Sequence, residues 1–282
     1  MTISRYIVGL SLLLQASIGL AQYNCSATKD SAWARACRIY TAADSFYQGS
    51  AKSQYYYDSA IKVCPNFAPA WHEKSVPYLK RGDFVSWRKL LDEAVRIDPR
   101  GFLAVRGWCR FKFLRDYEGA LDDLQRYDTL SAFGNNFSGD GSYELHIVMA
   151  LCERELGNTA AAFHYFAIGI DSAVAQKGFG FTGLYDYLHL GVTKIRSKDY
   201  AGAIAALEKE NRKYDKFAET YYYLGVACLA TGRKAEAISH LLQARALLND
   251  GSGKYYLHDI YCEMPDAIYL SNVEEALARA RD

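Results

Sequence analysis

The side chains in this sequence that could carry out covalent or acid–base chemistry are chiefly seven cysteines and six histidines, scattered along the chain. No Cys-x-x-Cys pair is present, and His72-Glu73 lacks the second histidine of a zinc-protease helix. No serine or cysteine nucleophile has an identifiable base, and no two carboxylates have the spacing of an acid–base couple. We therefore expect no catalytic residue, no metal site and no cofactor.

Two stretches contain part of a ligand-binding motif. Gly251-Ser-Gly-Lys254 has the glycines and lysine of a phosphate-binding loop, but neither its upstream glycine nor its following serine or threonine. Residues 136–142 contain glycine and oxygen-bearing side chains, but lack the alternating aspartates and closing glutamate of a calcium loop. We interpret both stretches as turns.

The composition is that of a folded protein without a general preference for a charged partner. Of the 282 residues, 50% are hydrophobic and 14% are aromatic, which is too much apolar content for a disordered chain. The 33 lysines and arginines nearly balance the 32 aspartates and glutamates, so the net charge of +1 provides no general attraction to nucleic acid. We do not expect a nucleic-acid partner.

The first 21 residues have the pattern of a secretory signal peptide. Arg5 precedes an apolar run from Tyr6 to Leu20, and small residues at Gly19 and Ala21 suit cleavage after Ala21. The run is shorter than the roughly 20 residues that a membrane-spanning helix needs, and no later stretch is long and apolar enough. We expect an exported protein, periplasmic or secreted, without a membrane span after cleavage.

A pattern of aromatic, leucine and small residues recurs along the rest of the chain. Near the C-terminus the interval is 34 residues: Tyr187, Leu190, Gly191, Ala203, Ile204 and Leu207 recur as Tyr221, Leu224, Gly225, Ala237, Ile238 and Leu241. Within each interval the apolar residues have helical spacing, and a turn with Gly or Asp separates two helices. Each interval predicts a helix hairpin that must bury its apolar face against its neighbours. The turn-rich stretches 129–142 and 176–183 interrupt the array; we interpret them as slack connectors, with recognition loops as the alternative.

The cysteines allow disulfides if the chain is exported to an oxidising compartment. Cys37 begins one predicted helix and Cys64 ends its antiparallel partner, so the hairpin favours a Cys37–Cys64 bond. Cys25 competes for either partner. A bond between Cys228 and Cys262 would tie the C-terminal region to the last repeat. Because seven is odd, at least one thiol stays free or pairs between chains.

The repeated residues resemble those of the tetratricopeptide repeat family, whose pattern residues 218–251 match best. The resemblance implies an all-α fold, an α-solenoid of helix-turn-helix repeats at 34–251. A lead-in at 22–33 precedes it, and a cap at 252–282 with a terminal helix follows it. The six units are 34–67, 68–100, 101–134, 142–175, 184–217 and 218–251.

In this family the first helix of each unit lines a concave groove. The resemblance implies a groove formed by His72, Val76, Leu79, Ile147, Leu151, Arg154, Leu188, Val192, Ile195, Tyr222, Val226 and Leu229. Because this face is mainly apolar, we expect a partner segment or the chain's own tail to cover it. The resemblance implies a non-enzymatic scaffold that binds a protein or peptide there. The alternative is an envelope-associated module that binds or assembles glycan or peptidoglycan, since tyrosine and tryptophan can stack on sugars.

Overall fold

The computed structural model describes residues 24–26, 29–130, 136–251 and 262–281. Within these ranges the secondary structure is helical, apart from an isolated antiparallel bridge between Phe137 and Glu144. The all-α expectation is therefore confirmed. The expected signal peptide at 1–21 lies outside the described residues. No helix of the described ranges is long and apolar enough to cross a membrane.

The chain forms two compact units, one ending at Ile97 and the other starting at Asp98. The first unit contains two helix hairpins, and side-chain caps fix where two of its helices begin. The Asp30 carboxylate accepts an N–H bond from Ala32 at 2.8 Å, and the Ser50 hydroxyl accepts one from Ser53 at 3.2 Å. The helices are α1 (Ser31–Ala42), α2 (Ala51–Val63), α3 (Ala68–Lys80) and α4 (Phe84–Ile97).

The disulfide of the first unit joins Cys25 to Cys37, so the preferred Cys37–Cys64 pairing is wrong. The lead-in ahead of α1 brings the Cys25 and Cys37 Cα atoms to 5.4 Å, within the usual range for a disulfide. Cys64 has a free, buried thiol in the same apolar cluster, packed with Ala36 and Phe67. The expectation rested on the geometry of the hairpin and left out the lead-in, which supplies the thiol that bonds to Cys37.

The second unit contains four helix hairpins and a terminal helix. Its hairpins pair α5 with α6, α7 with α8, α9 with α10 and α11 with α12, while α13 packs on α12 and α11. The helices are α5 (Pro99–Cys109), α6 (Tyr117–Leu130), α7 (Leu145–Glu155), α8 (Thr159–Lys177), α9 (Asp186–Arg196), α10 (Tyr200–Lys213), α11 (Ala218–Ala230), α12 (Lys234–Asp250) and α13 (Leu270–Arg281).

The repeated glycine and leucine set the distance between the two helices of a hairpin. A Cβ atom added to Gly225 of α11 would lie 2.7 Å from Cγ of Leu241 on α12. The corresponding distance from Gly191 of α9 to Leu207 of α10 is 2.6 Å. Both are far inside van der Waals contact, so only glycine permits this approach. The 34-residue pattern thus records one helix contact made in successive hairpins.

Both interruptions of the array are anchored where the structure describes them, which corrects their interpretation as slack connectors. The Asp140 carboxylate accepts hydrogen bonds from the Ser138 hydroxyl at 2.7 Å and from Lys112 at 3.1 Å. In the second interruption, Lys213 of α10 donates to the backbone oxygens of Thr182 and Gly183. Charge-assisted bonds of this kind hold a loop in one conformation.

Candidate binding groove

The tail segment, residues 262–269, is an irregular stretch that lies against the first helices of the hairpins in the second unit. Near α5, Arg115 donates a hydrogen bond to the backbone oxygen of Glu263. Near α7 and α9, Asp266 contacts Arg154 and His189. Ile268 joins the apolar cluster that includes residues of α11 and α13. A single polypeptide segment therefore follows four successive hairpins.

A type II β-turn places Asp266 at the tip of the tail segment. The turn is closed by the Ala267 N–H, which donates to the Met264 oxygen at 3.4 Å. Pro265 takes the first central position and Asp266 the second, where φ is 64°. This left-handed backbone favours glycine, and a side chain there costs roughly 1 kcal/mol. The contacts of the Asp266 carboxylate must offset that cost.

The Asp266 carboxylate is enclosed by cationic and N–H groups of the groove. Its Oδ2 lies 2.8 Å from Nη1 of Arg154 and 2.7 Å from Nδ1 of His189. Its Oδ1 lies 3.7 Å from Nη2 of Arg196. The side chain is 1% exposed, and Arg154 is 4% exposed. Burial would raise the pKa of Asp266, but the Arg154 charge and the His189 bond outweigh it and hold that pKa well below its usual range.

His189 links Asp266 to a tyrosine beneath the groove. Its Nδ1 faces Asp266 and its Nε2 lies 2.9 Å from the Tyr143 hydroxyl, so we assign a neutral imidazole that donates to the carboxylate and accepts from tyrosine. Burial lowers the pKa of His189 more than Asp266 raises it, which agrees with this assignment. Tyr143 is 1% exposed and contacts the rings of Trp108 and Tyr185. A reacting molecule has no approach to this hydroxyl.

A cavity of about 220 Å³ opens beside the tail segment. Residues 263–267 form one wall, and apolar side chains of Phe111, Tyr117 and Leu151 contribute another. Two further arginines, Arg115 and Arg196, face the cavity together with Arg154 and Glu155. Arg196 is 48% exposed and lies 2.8 Å from Glu155. The cavity therefore offers accessible guanidinium groups next to the buried carboxylate of the tail.

The groove residues expected from the sequence fall into two groups by exposure. Those of α7 and most of α9 are buried: Ile147, Leu151, Arg154, Leu188 and Val192. Of these, Leu151 and Arg154 line the cavity beside the tail segment, whereas the Ile147 side chain lies against Gly169 of α8. Those of α3, the end of α9 and α11 remain half-buried: His72, Val76, Leu79, Ile195, Tyr222, Val226 and Leu229.

A second opening lies between α11 and α13. This cleft of about 440 Å³ is lined by three of the expected groove residues, Tyr222, Val226 and Leu229. Lys234 and Arg279 add two cationic side chains to it. Its wall is more apolar than that of the cavity beside Asp266.

Sequence reasoning missed the acidic centre of the groove. His189 stands next to the expected Leu188, but a single histidine on a packed helix carries no sign of its partner. The available signal was Pro265-Asp266, since proline followed by a residue that tolerates positive φ is typical of a type II turn. Among the described residues, no group of three or more His, Cys, Asp or Glu side chains could hold a metal ion.

Comparison with solved structures identifies the architecture. The type IV pilus biogenesis factor PilW superimposes with a TM-score of 0.59 and 15% identity, over 80% of this chain and 98% of PilW. YrrB, described as a TPR protein with an unusual peptide-binding site, superimposes with a TM-score of 0.52 and 16% identity, over 69% of this chain and 93% of YrrB. The fold is that of the tetratricopeptide repeat proteins.

A third structure that superimposes on this chain is BtubC from P. vanneervenii. Its TM-score is 0.60 at 16% identity, over 78% of this chain and 93% of BtubC. At these identities the likeness concerns the fold. No protein-family model matches the sequence, and no curated protein sequence is significantly similar to it. The chain therefore shares the tetratricopeptide fold with these neighbours but little of their sequence.

Proposed function

We propose that this protein is an exported, non-enzymatic scaffold that binds a protein or peptide on the concave face formed by the first helices of its hairpins. The observation that carries the proposal is the tail segment itself. It is an irregular polypeptide that lies along this face and places an acidic side chain between Arg154 and His189. A surface that accommodates one such segment has the shape and donors to accommodate another.

Surface that remains open supports the same function. The cleft between α11 and α13 combines apolar Val226 and Leu229 with cationic Lys234. An apolar centre with a polar rim is typical of surfaces that bind polypeptides. In the first unit, Val76 and Leu79 of α3 are half-buried. Extended faces of this kind are what stacked repeats offer to partners.

Export is supported by two independent features. The expected signal peptide provides the route, and the Cys25–Cys37 disulfide suits an oxidising compartment such as the periplasm or the exterior. Mass spectrometry of the mature protein from its host tests this directly. We expect an N-terminus at Gln22 and a peptide cross-linked through Cys25 and Cys37. An intact N-terminus on a cytosolic protein would contradict export.

Site-specific photo-crosslinking in the native host tests partner binding. A photoreactive amino acid at Leu229 or Val76 reports on the groove, and one at exposed Glu208 or Lys89 on second helices serves as the matched control. We expect one protein or peptide to crosslink from groove positions and not from the controls. Equal labelling at all four positions, or none at any, would contradict the proposal.

Glycan binding is a second candidate that the first unit favours. Tyr47 and Tyr55 are 90% and 69% exposed. They flank a stacked ring pair, Phe46 and Tyr56, whose centroids are 5.3 Å apart. Exposed aromatic faces can stack on sugar rings. Titration with peptidoglycan fragments tests this: saturable binding that Tyr47→Ala and Tyr55→Ala abolish supports it, and absence of binding to the wild-type chain rejects it.

A further inference from the structure

We propose that the site formed by Arg154 and His189 binds an acidic side chain of the partner, and that the tail segment is a built-in competitor which the partner displaces. This inference rests on the proposed function and specifies its ligand. The inference is drawn from one feature of the groove: the buried Asp266 carboxylate lies directly beside a cavity that is lined by arginines.

The contacts of the tail define what the site recognises. Arg154 and His189 both point N–H groups at one carboxylate oxygen, a pattern that selects a charged acceptor over an amide. Met264 and Ile268, two residues on either side of Asp266, are each 4% exposed. The preferred ligand is therefore a turn-forming segment with an acidic residue flanked at two positions on each side by large apolar residues.

The tail has features of a competitor that can leave. Asp266 occupies left-handed backbone, and its Oδ1 has no hydrogen-bond donor among the described residues. Both features lower its affinity relative to a partner that presents the carboxylate without strain. The helix that follows does not depend on this turn, because Val273 and Leu277 of α13 are fully buried in the cluster formed with α12. Residues 262–269 can therefore detach while α13 stays packed.

The cavity provides a route for the exchange. Arg115 is exposed and Arg196 is about half-exposed, so an incoming carboxylate can meet these guanidinium groups from solvent. From there it lies next to Arg154, whose ionic partners are Asp266 and Glu155. Replacing Asp266 by another carboxylate keeps Arg154 and His189 satisfied. Exchange avoids the cost of leaving a buried cation without an anion.

Fluorescence polarisation with a defined peptide tests the ligand chemistry. The probe is a labelled peptide of residues 262–269 with Cys262→Ser, and the matched control peptide also carries Asp266→Asn. Full-length Asp266→Asn, whose own tail no longer competes, should bind the acidic probe at least tenfold more tightly than the wild-type chain. The asparagine peptide should bind at least tenfold more weakly than the acidic one. Adding Arg154→Gln to the Asp266→Asn chain should abolish the gain.

Hydrogen exchange measured by mass spectrometry tests displacement in the wild-type chain, independently of any variant's stability. With excess acidic peptide, we expect faster exchange in residues 262–269 and unchanged exchange in α13. If exchange in the tail is unaffected by saturating peptide, or if Asp266→Asn gains no affinity, the inference is wrong. Neither result would decide the proposed function. Crosslinking from Leu229 tests that function separately, because Leu229 lies in the cleft between α11 and α13.

Discussion

Nδ1 of His189 lies 2.7 Å from Oδ2 of Asp266, although 77 residues separate them in sequence. The contact joins the tail segment to the middle of the repeat array, since His189 belongs to α9. Both side chains are almost completely removed from water. Asp266 is therefore the charged anchor of the tail segment, beside the Arg115 bond to Glu263 and the burial of Met264 and Ile268.

Replacing Asp266 by alanine should destabilise the protein strongly. The substitution leaves the Arg154 guanidinium, 4% exposed, with Glu155 as its remaining ionic partner at 3.0 Å. Breaking a buried ion pair from one side costs about 3–5 kcal/mol, and the Glu155 contact places the loss near 3 kcal/mol. Urea denaturation measures it. The exposed pair of Arg279 with Glu275 is the control, because Glu275→Ala should change stability little. Equal effects of the two substitutions would contradict a structural role for Asp266.

Acidification should weaken the fold through His189 and Asp266. Both have pKa values lowered in the folded state, His189 from 6.5 and Asp266 from 3.8. The unfolded chain therefore takes up these protons first, so stability falls as pH drops below 6.5 and falls again below 3.8. His189→Gln should flatten the first decline. Chemical denaturation at pH 7, 6 and 5 measures the slope, and an identical slope in the variant would rule out His189 as its source.

Glu210 on α10 should give the opposite pH dependence. Its side chain is buried, Oε2 accepts the Leu188 N–H at 3.0 Å, and burial raises the pKa of Glu210 to about 8. Between pH 4.5 and 8 the folded state holds a proton that the unfolded chain has released, so stability contributed by this group is lost as pH rises. The slope is at most about 1.4 kcal/mol per pH unit. Glu210→Gln should remove it, whereas Glu208→Gln, exposed on the same helix, should not.

The Cys25–Cys37 disulfide should stabilise the first unit. It closes a loop with a sequence separation of 12, for which the chain-entropy model gives about 3 kcal/mol. Cys25→Ser should lower the denaturation midpoint by a corresponding amount under oxidising conditions and have little effect under reducing ones. Cys64→Ser, which removes the free thiol of the same cluster, is the control. A larger loss of stability in Cys64→Ser would favour the pairing that the sequence first indicated.

The sequence predicts the helix hairpins well because their determinants are local and repeated. Gly191 with Leu207, and Gly225 with Leu241, express the same contact at the same spacing. The acidic centre of the groove has no such signal, because Asp266 meets Arg154 across 112 residues and occurs once. The sequence favoured Cys64 over Cys25 as the partner of Cys37 for a related reason. It lies in a lead-in without periodicity, so helix geometry could not position it.

The last prediction concerns the close approach of α11 and α12. Gly225→Ala introduces a Cβ 2.7 Å from Cγ of Leu241, which is fully buried and cannot move into solvent. Overpacking of this kind costs about 1–3 kcal/mol. Leu241→Ala alone should cost more, by opening a cavity, but it also vacates the space that the new methyl group needs. The double variant should therefore be more stable than the sum of the two losses indicates, as a double-mutant cycle by urea denaturation would show. Simple additivity would mean that the helices shift apart instead of meeting at this pair.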